Sequence, residues 1–255
     1  MVQQLQQSSQ SEEKDQELIS YPRDEVALKT IEDIRDSATR AYAGLSGAAL
    51  IAASIPGIGS GPAAALALTA YAPLHRISKY SRIVLFMKEM MASFKASGQE
   101  AHFYPCLEVE GQENLDLFIQ VPQQANFLIS IRSQGKANIF YDKDKDSLYS
   151  RRIKRGRRLW RNCPLLQMAE YVKWLNKNRS TFGLSSREIR KLPLARIVVL
   201  WDPTRLADHE DGFYSKVGED KILTINKKGK VFLVEHQEVS KVIKAYLANK
   251  IEYQQ

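Results

Sequence analysis

The chain has 255 residues, 44% of them hydrophobic, with 37 Lys/Arg against 29 Asp/Glu and a formal charge of +8. That length and apolar share suffice for a sizeable buried core and exclude a chain that is disordered throughout. Its two cysteines, Cys106 and Cys163, have no CxxC or Cys/His spacing, which argues against a zinc site or a disulfide framework and fits a reducing compartment.

The opening tract "MVQQLQQSSQSEEKDQE" is rich in Gln, Ser and Glu and lacks the basic start and apolar centre of a secretory signal. Residues 1–20 are therefore expected to form a disordered tail. From Pro22 onward Val26, Ile31, Ile34, Ala38, Tyr42 and Leu45 recur at three- to five-residue spacing behind Asp24 and Glu25, the pattern of a helix with acid at its N-terminus. A second stripe, Ile77, Tyr80, Val84, Met87, Met91 and Phe94, follows Pro73 and stops at Gly98. Residues 21–98 thus read as a helical hairpin.

Between the stripes lies "IPGIGSGPAAALAL", residues 55–68. A dinucleotide fingerprint needs a strand before its first glycine, and "GLSGAALIAAS" is Ala- and Gly-rich with Pro56 beyond it. The better reading is a turn, with Pro56 and the glycines at 57, 59 and 61 breaking one helix and Pro62 opening the next. Gly44, Ala48 and Ala52 fall four apart, a small-residue face suited to close helix packing or homo-oligomer formation. The 34 uncharged residues from Ala41 to Leu74 exceed the roughly 20 that cross a bilayer once. Two readings follow: a soluble helical pair, or a membrane-inserted hairpin with both ends cytoplasmic. Arg76, Lys79 and Arg82 just beyond the run would suit anionic headgroups.

After residue 98 the texture changes. "HFYPCLEV", "LDLFIQV", "NFLISI" and "ANIFY" read as strands in close succession. "CPLLQMAEYVKWLNKN" reads as a helix, "ARIVVLW" and "KVFLVE" as buried strands, and "HQEVSKVIKAYLANK" as a closing helix. Residues 99–255 are expected to form one α/β domain.

Within it, "NLDLFIQVPQQANFLISIRSQGKANIFYD" has a strand with an acid, a turn, a second strand and a glycine loop. This layout resembles the PD-(D/E)XK nuclease superfamily, in particular its nuclease-related-domain branch. Asp116 matches the family's Asp, Ser130 stands where its Glu belongs and Arg132 where its Lys belongs. The resemblance implies a restriction-endonuclease-like mixed sheet flanked by helices, preceded here by the helical hairpin. It also implies where catalysis would fail. Two carboxylates hold the metal in such nucleases, a serine hydroxyl is a poor anionic ligand, and arginine stays protonated. The expectation is a vestigial site that binds without cutting and needs no cofactor. An active Mg²⁺-dependent enzyme would need Glu108 or Glu110 to share a metal with Asp116, and Lys136 to replace the lysine. The blander reading leaves Asp116 as a solvated strand residue salt-bridged to Arg132.

"YSRRIKRGRRLWR" places seven Lys/Arg among residues 151–161 with no acid between them: Arg151, Arg152, Lys154, Arg155, Arg157, Arg158 and Arg161. With Trp160 alongside, it reads as a phosphate-gripping, base-stacking loop for DNA or RNA. "DHEDG", with His209, reads as an exposed acidic loop, because no second His stands at ligand spacing. The leading expectation is a cytoplasmic-facing, nuclease-like nucleic-acid-binding protein that uses Arg132, Lys136 and the 151–161 segment. The alternative is a membrane-associated scaffold or assembly factor whose basic face meets anionic lipid or an acidic protein.

Overall fold

Period-two alternation with both faces apolar makes a strand that must be covered on both sides. Leu117, Ile119 and Val121 alternate with Asp116 and Phe118, and all of these are buried. The computed structural model describes residues 21–54, 71–152, 155–217, 220–226, 229–248 and 251–252. The N-terminal tract and the glycine-rich run at 55–68 lie outside them.

Two helices lead the chain, α1 (Asp24–Ser54) and α2 (Tyr71–Ala96). An antiparallel meander follows, β1 (His102–Leu107), β2 (Leu115–Val121) and β3 (Ala125–Arg132). Then come β4 (Ala137–Asp142), β5 (Ser147–Arg152) and β6 (Arg155–Leu159), followed by helix α3 (Pro164–Lys177), short helix α4 (Ser186–Lys191) and β7 (Leu194–Leu200). The chain continues through β8 (Arg205–Leu206), β9 (Tyr214–Val217), β10 (Asp220–Asn226), β11 (Lys230–Glu235), helix α5 (Val239–Leu247) and β12 (Ile251–Glu252).

The strands form an eight-stranded mixed sheet, ordered β1-β2-β3-β7-β11-β10-β9-β12, and a four-stranded sheet, ordered β6-β5-β4-β8. At the centre of the large sheet β3, β7 and β11 run parallel. One face is covered by α1, α2 and α5, with Ile83, Phe86, Met87 and Ile243 packed on Leu117, Ile129 and Val199. The other face is covered by α3 and the small sheet, with Met168, Tyr171, Ile139 and Leu148 packed on Phe118, Leu128 and Val198. The fold is therefore α/β, with mixed sheets flanked by helices behind an N-terminal helical pair.

The stripe of α2 faces the core as its spacing indicates, with Val84, Met87 and Phe94 buried and Ile77, Tyr80 and Met91 half-buried, whereas that of α1 departs in part. Among the described side chains of α1 the buried ones are Ala27 and Ile31, whereas Val26 and Ile34 are exposed. The spacing from Ala27 to Ile31 is one clean turn, so a single small residue set the buried face that the bulkier Val26 suggested elsewhere. Ile83, Val84, Phe86, Met87, Met90 and Phe94 of α2 are all buried, so this helix completes the core of the sheet. Asp24 pins the start of α1 to β1 by accepting the Phe103 N–H at 2.8 Å. Of the small-residue face, Gly44 is exposed, while the side chains at 48 and 52 lie outside those described. Among the described residues no helix is long and apolar enough to cross a membrane.

Candidate functional site

The register of the meander builds the first cluster. One step beyond the pair Leu117 and Ile129, Asp116 stands opposite Ser130, and Arg132 lies at the end of β3 on the same side. Asp116 is buried, and its Oδ2 accepts the Ile131 N–H at 2.7 Å and Arg132 Nη1 at 3.0 Å. Its Oδ1 faces Lys79 Nζ of α2 at 3.2 Å. Arg132 spends its other nitrogen on Gln167 Oε1 of α3 at 2.9 Å and on Glu113 Oε2 at 3.2 Å. Tyr171 fixes the same loop by donating to the Glu113 carbonyl at 3.0 Å. Burial alone would lower the Arg132 guanidinium, but Asp116, Tyr171 and Glu113 together outweigh it and hold its pKa above the ordinary value.

The structure thus brings together Asp116 and Arg132 as an ion pair, and Asp116 is not solvated. Ser130 is buried beside them, and its Oγ has no hydrogen-bond partner among the described residues. Lys136 is exposed in the loop after β3, and Glu108 and Glu110 are exposed in the turn after β1. The cation that reaches Asp116 from outside its own hairpin is Lys79. Lys79 and Arg82 had suggested a headgroup-facing helix surface; instead Lys79 pairs with Asp116, and half-buried Arg82 donates to Ser78 and feels the field of Asp116.

These residues do not fit a divalent cation. Asp116 is paired with two cations and accepts a backbone N–H, the exposed Glu113 carboxylate is paired with Arg132, Ser130 offers only a neutral hydroxyl, and no group of three His, Cys, Asp or Glu among the described residues is placed to hold a metal. Cys106, whose thiol burial pushes up to about 12 with Asp116 adding to the effect, is a poor nucleophile there.

The second cluster is the basic segment, which is a β-hairpin and not a loop. Strands β5 and β6 pair antiparallel, Tyr149 opposite Leu159, Ser150 opposite Arg158 and Arg151 opposite Arg157. Beyond the β-irregularity at Arg151/Arg152, Arg152 stands opposite Arg155. Lys154 lies outside the described residues. Pairing sorts the arginines between two faces. Arg151 and Arg157 lie on the outer face with Phe140 of β4, their guanidinium carbons 5.0 and 4.9 Å from its ring centre. Arg152 and Arg158 open on the inner face into a cleft of about 710 Å³, shared with Gln134, Ser150, Trp160 and Arg161. Arg152 donates to the Gln134 carbonyl at 3.1 Å. None of Arg151, Arg152, Arg157, Arg158 and Arg161 has a carboxylate partner among the described residues.

Trp160, expected as a stacking residue, is buried at 6% exposure in the core under α3. Its backbone N–H donates to the Leu148 carbonyl at 2.9 Å and its ring packs in the core, so the side chain is not presented to a ligand. His209 is likewise structural: its Nδ1 donates to the Ala207 carbonyl at 2.6 Å and its Nε2 accepts the Tyr141 N–H at 2.8 Å. That pairing requires the neutral ring, and burial lowers its pKa to match.

Sequence reasoning missed Lys79, Glu113 and Gln167. Only the basic spacing Arg76, Lys79, Arg82 on one helix face offered a signal. No protein-family model, curated protein or solved structure matches this chain.

Proposed function

We propose that the chain is a non-catalytic nucleic-acid-binding protein on a degenerate nuclease-like fold. The meander supports this reading: Asp116 stands on its second strand and Ser130 and Arg132 on its third, the layout that carries the PD-(D/E)XK resemblance, and β7, reached after β4, β5, β6 and α3, runs parallel to β3. In place of a metal, the Arg132 guanidinium and the Lys79 ammonium face Asp116, whose Oδ1 has an ion pair with Lys79 but no hydrogen bond among the described residues.

The observation that carries the function is the hairpin, where four described arginines on both faces of a two-stranded ribbon, and Arg161 just beyond it, have no carboxylate partner among the described residues. Arginine forks match phosphate geometry, and a local excess of unpaired cations concentrates polyanions. Arg132 is committed to Asp116, Glu113 and Gln167, so the binding surface consists of the hairpin and its cleft.

The test is binding of the full chain to labelled single- and double-stranded DNA and RNA across a salt series, with and without Mg²⁺, with cleavage scored in the same samples. The full chain is used because α2 completes the core. Binding that weakens steeply with salt and yields no Mg²⁺-dependent product is expected. No binding at low salt removes the reading, and Mg²⁺-dependent cutting lost in a folded Asp116→Ala variant replaces it with an enzyme.

A second reading concerns attachment. Beyond Ile31 no described side chain of α1 is buried, and Ile34 and Leu74 stand exposed on that part of the helical pair. This favours a role for the pair in docking, to a membrane or to a second copy. Flotation with anionic vesicles and light scattering at graded concentration separate those two.

A further inference from the structure

We infer that the hairpin takes a single strand whose bases are unstacked, held by phosphate on one face and by base on the other. The inference rests on the nucleic-acid reading above and names the ligand class of the same surface.

The two faces differ in chemistry. On the inner face the cleft offers guanidinium groups, Arg152, Arg158 and Arg161, beside the hydroxyl of Ser150 and the amide of Gln134. These are phosphate ligands. The outer face pairs cations with rings. Phe140 carries Arg151 and Arg157, and Tyr149 carries Lys145 Nζ at 5.7 Å, whereas exposed Leu159 opposite Tyr149 also lines the cleft.

Duplex phosphates gain nothing from two half-buried rings. The π-face of an unpaired base does, because it stacks on aromatic rings and on guanidinium planes alike. The cation–π contacts also hold Arg151 and Arg157 against Phe140 before any ligand arrives, so less side-chain freedom is lost on binding.

The path between the faces is short. Strand β6 is the edge of the small sheet, and its consecutive residues Arg157 and Arg158 point to opposite faces. A flexible single strand crossing that edge places phosphates in the cleft and the following bases on the outer face. A duplex, stiff over this distance, meets one face only.

The test measures anisotropy of the full chain with a labelled oligonucleotide of about 12 nucleotides, near the site size of single-strand binders, as a single strand and as its duplex at equal salt. The single strand is expected to bind roughly tenfold more tightly, about the effect of stacking one base. Phe140→Leu with Tyr149→Leu keeps an apolar side chain at each position and removes the π-faces, and should abolish that preference by lowering single-strand affinity about tenfold more than duplex affinity. Equal affinity of the wild type for both forms overturns the inference and leaves the nucleic-acid reading standing. So does a parallel loss for both forms in the variant. Absence of binding to either form removes both readings. The wild-type comparison decides the matter by itself if the variant fails to fold.

Discussion

Arg132 Nη1 lies 3.0 Å from Asp116 Oδ2, and that carboxylate oxygen also takes the Ile131 N–H. Both charges belong to the same hairpin, and 13% of the arginine side chain and none of the aspartate side chain meets solvent. A buried carboxylate so held cannot release its partner without leaving an uncompensated charge in the core. The pair therefore fastens β2, β3, the 113 loop and α3 at one point.

Removing Arg132 is accordingly more harmful than removing Asp116. Arg132→Ala strands the carboxylate with Lys79 alone and is expected to cost on the order of 3 kcal/mol. For a chain of this size that lowers Tm by roughly 6–12 °C. Asp116→Asn should cost less, since the amide oxygen still accepts from Ile131 and Arg132 retains Glu113 and Gln167. The Asp116→Ala/Arg132→Ala double variant should lose less than the sum of its parts, because the second substitution removes the charge the first exposes. Thermal unfolding of the wild type, Asp116→Ala, Arg132→Ala and the double variant decides it, with Asp116→Asn alongside; additive losses would show that the two side chains act independently.

His209 ties the small sheet to the loop after β8 in its neutral form. Its folded pKa is lowered, mainly by burial, relative to the ordinary 6.5. The unfolded chain then binds the proton more readily, so the His209 contribution is fully present above pH 6.5 and is lost as pH falls from there through the folded pKa. Chemical denaturation of the wild type should show a drop in stability between pH 7.5 and 5.5 that is reduced in His209→Gln. An identical drop in both proteins would assign the pH dependence elsewhere.

The large sheet was legible in the sequence because its strands are apolar on both faces. "LDLFIQV" is β2 residue for residue, and "ARIVVLW" matches β7 to within one residue at each end. Strands β5 and β6 were not legible as strands, since alternation there sorts arginine from arginine and carries no hydropathy signal. Asp116, Ser130 and Arg132 were legible as neighbours through a two-strand register. Lys79 was not, because its contact with Asp116 joins a helix to a strand 37 residues on and leaves no local pattern. Trp160 failed as a ligand residue for the opposite reason: its position among charges suggested exposure, whereas one more step of strand alternation turned it into the core.

Cys106 reports on the closure of the Asp116 region. Burial first, and then the Asp116 charge, push its thiol from an ordinary 9.0 up to about 12. The thiolate is the reactive form, so at pH 8 its share falls about a thousandfold below that of a free thiol. In a Cys163→Ser background, reaction with a disulfide reagent should be at least a hundredfold slower in the native protein than in denaturant. Native reaction at the rate of a free thiol would mean that β1 opens locally and that the site is less closed than its geometry indicates.

The cleft arginines should act through charge alone. Arg152→Ala and Arg158→Ala each remove one guanidinium without touching the core, since both side chains are exposed. Each is expected to weaken nucleic-acid binding about equally for every sequence and to lower the slope of log K against log salt by about 1. Lys173 supplies the contrast: it already pairs with Glu170 at 2.9 Å on the outer side of α3, so Lys173→Ala should leave the slope unchanged. Unchanged slopes for the two arginine variants would place the phosphate contacts outside the cleft. A lowered slope for Lys173→Ala would extend the binding face along α3, and the Glu170 pair would then have to open on binding.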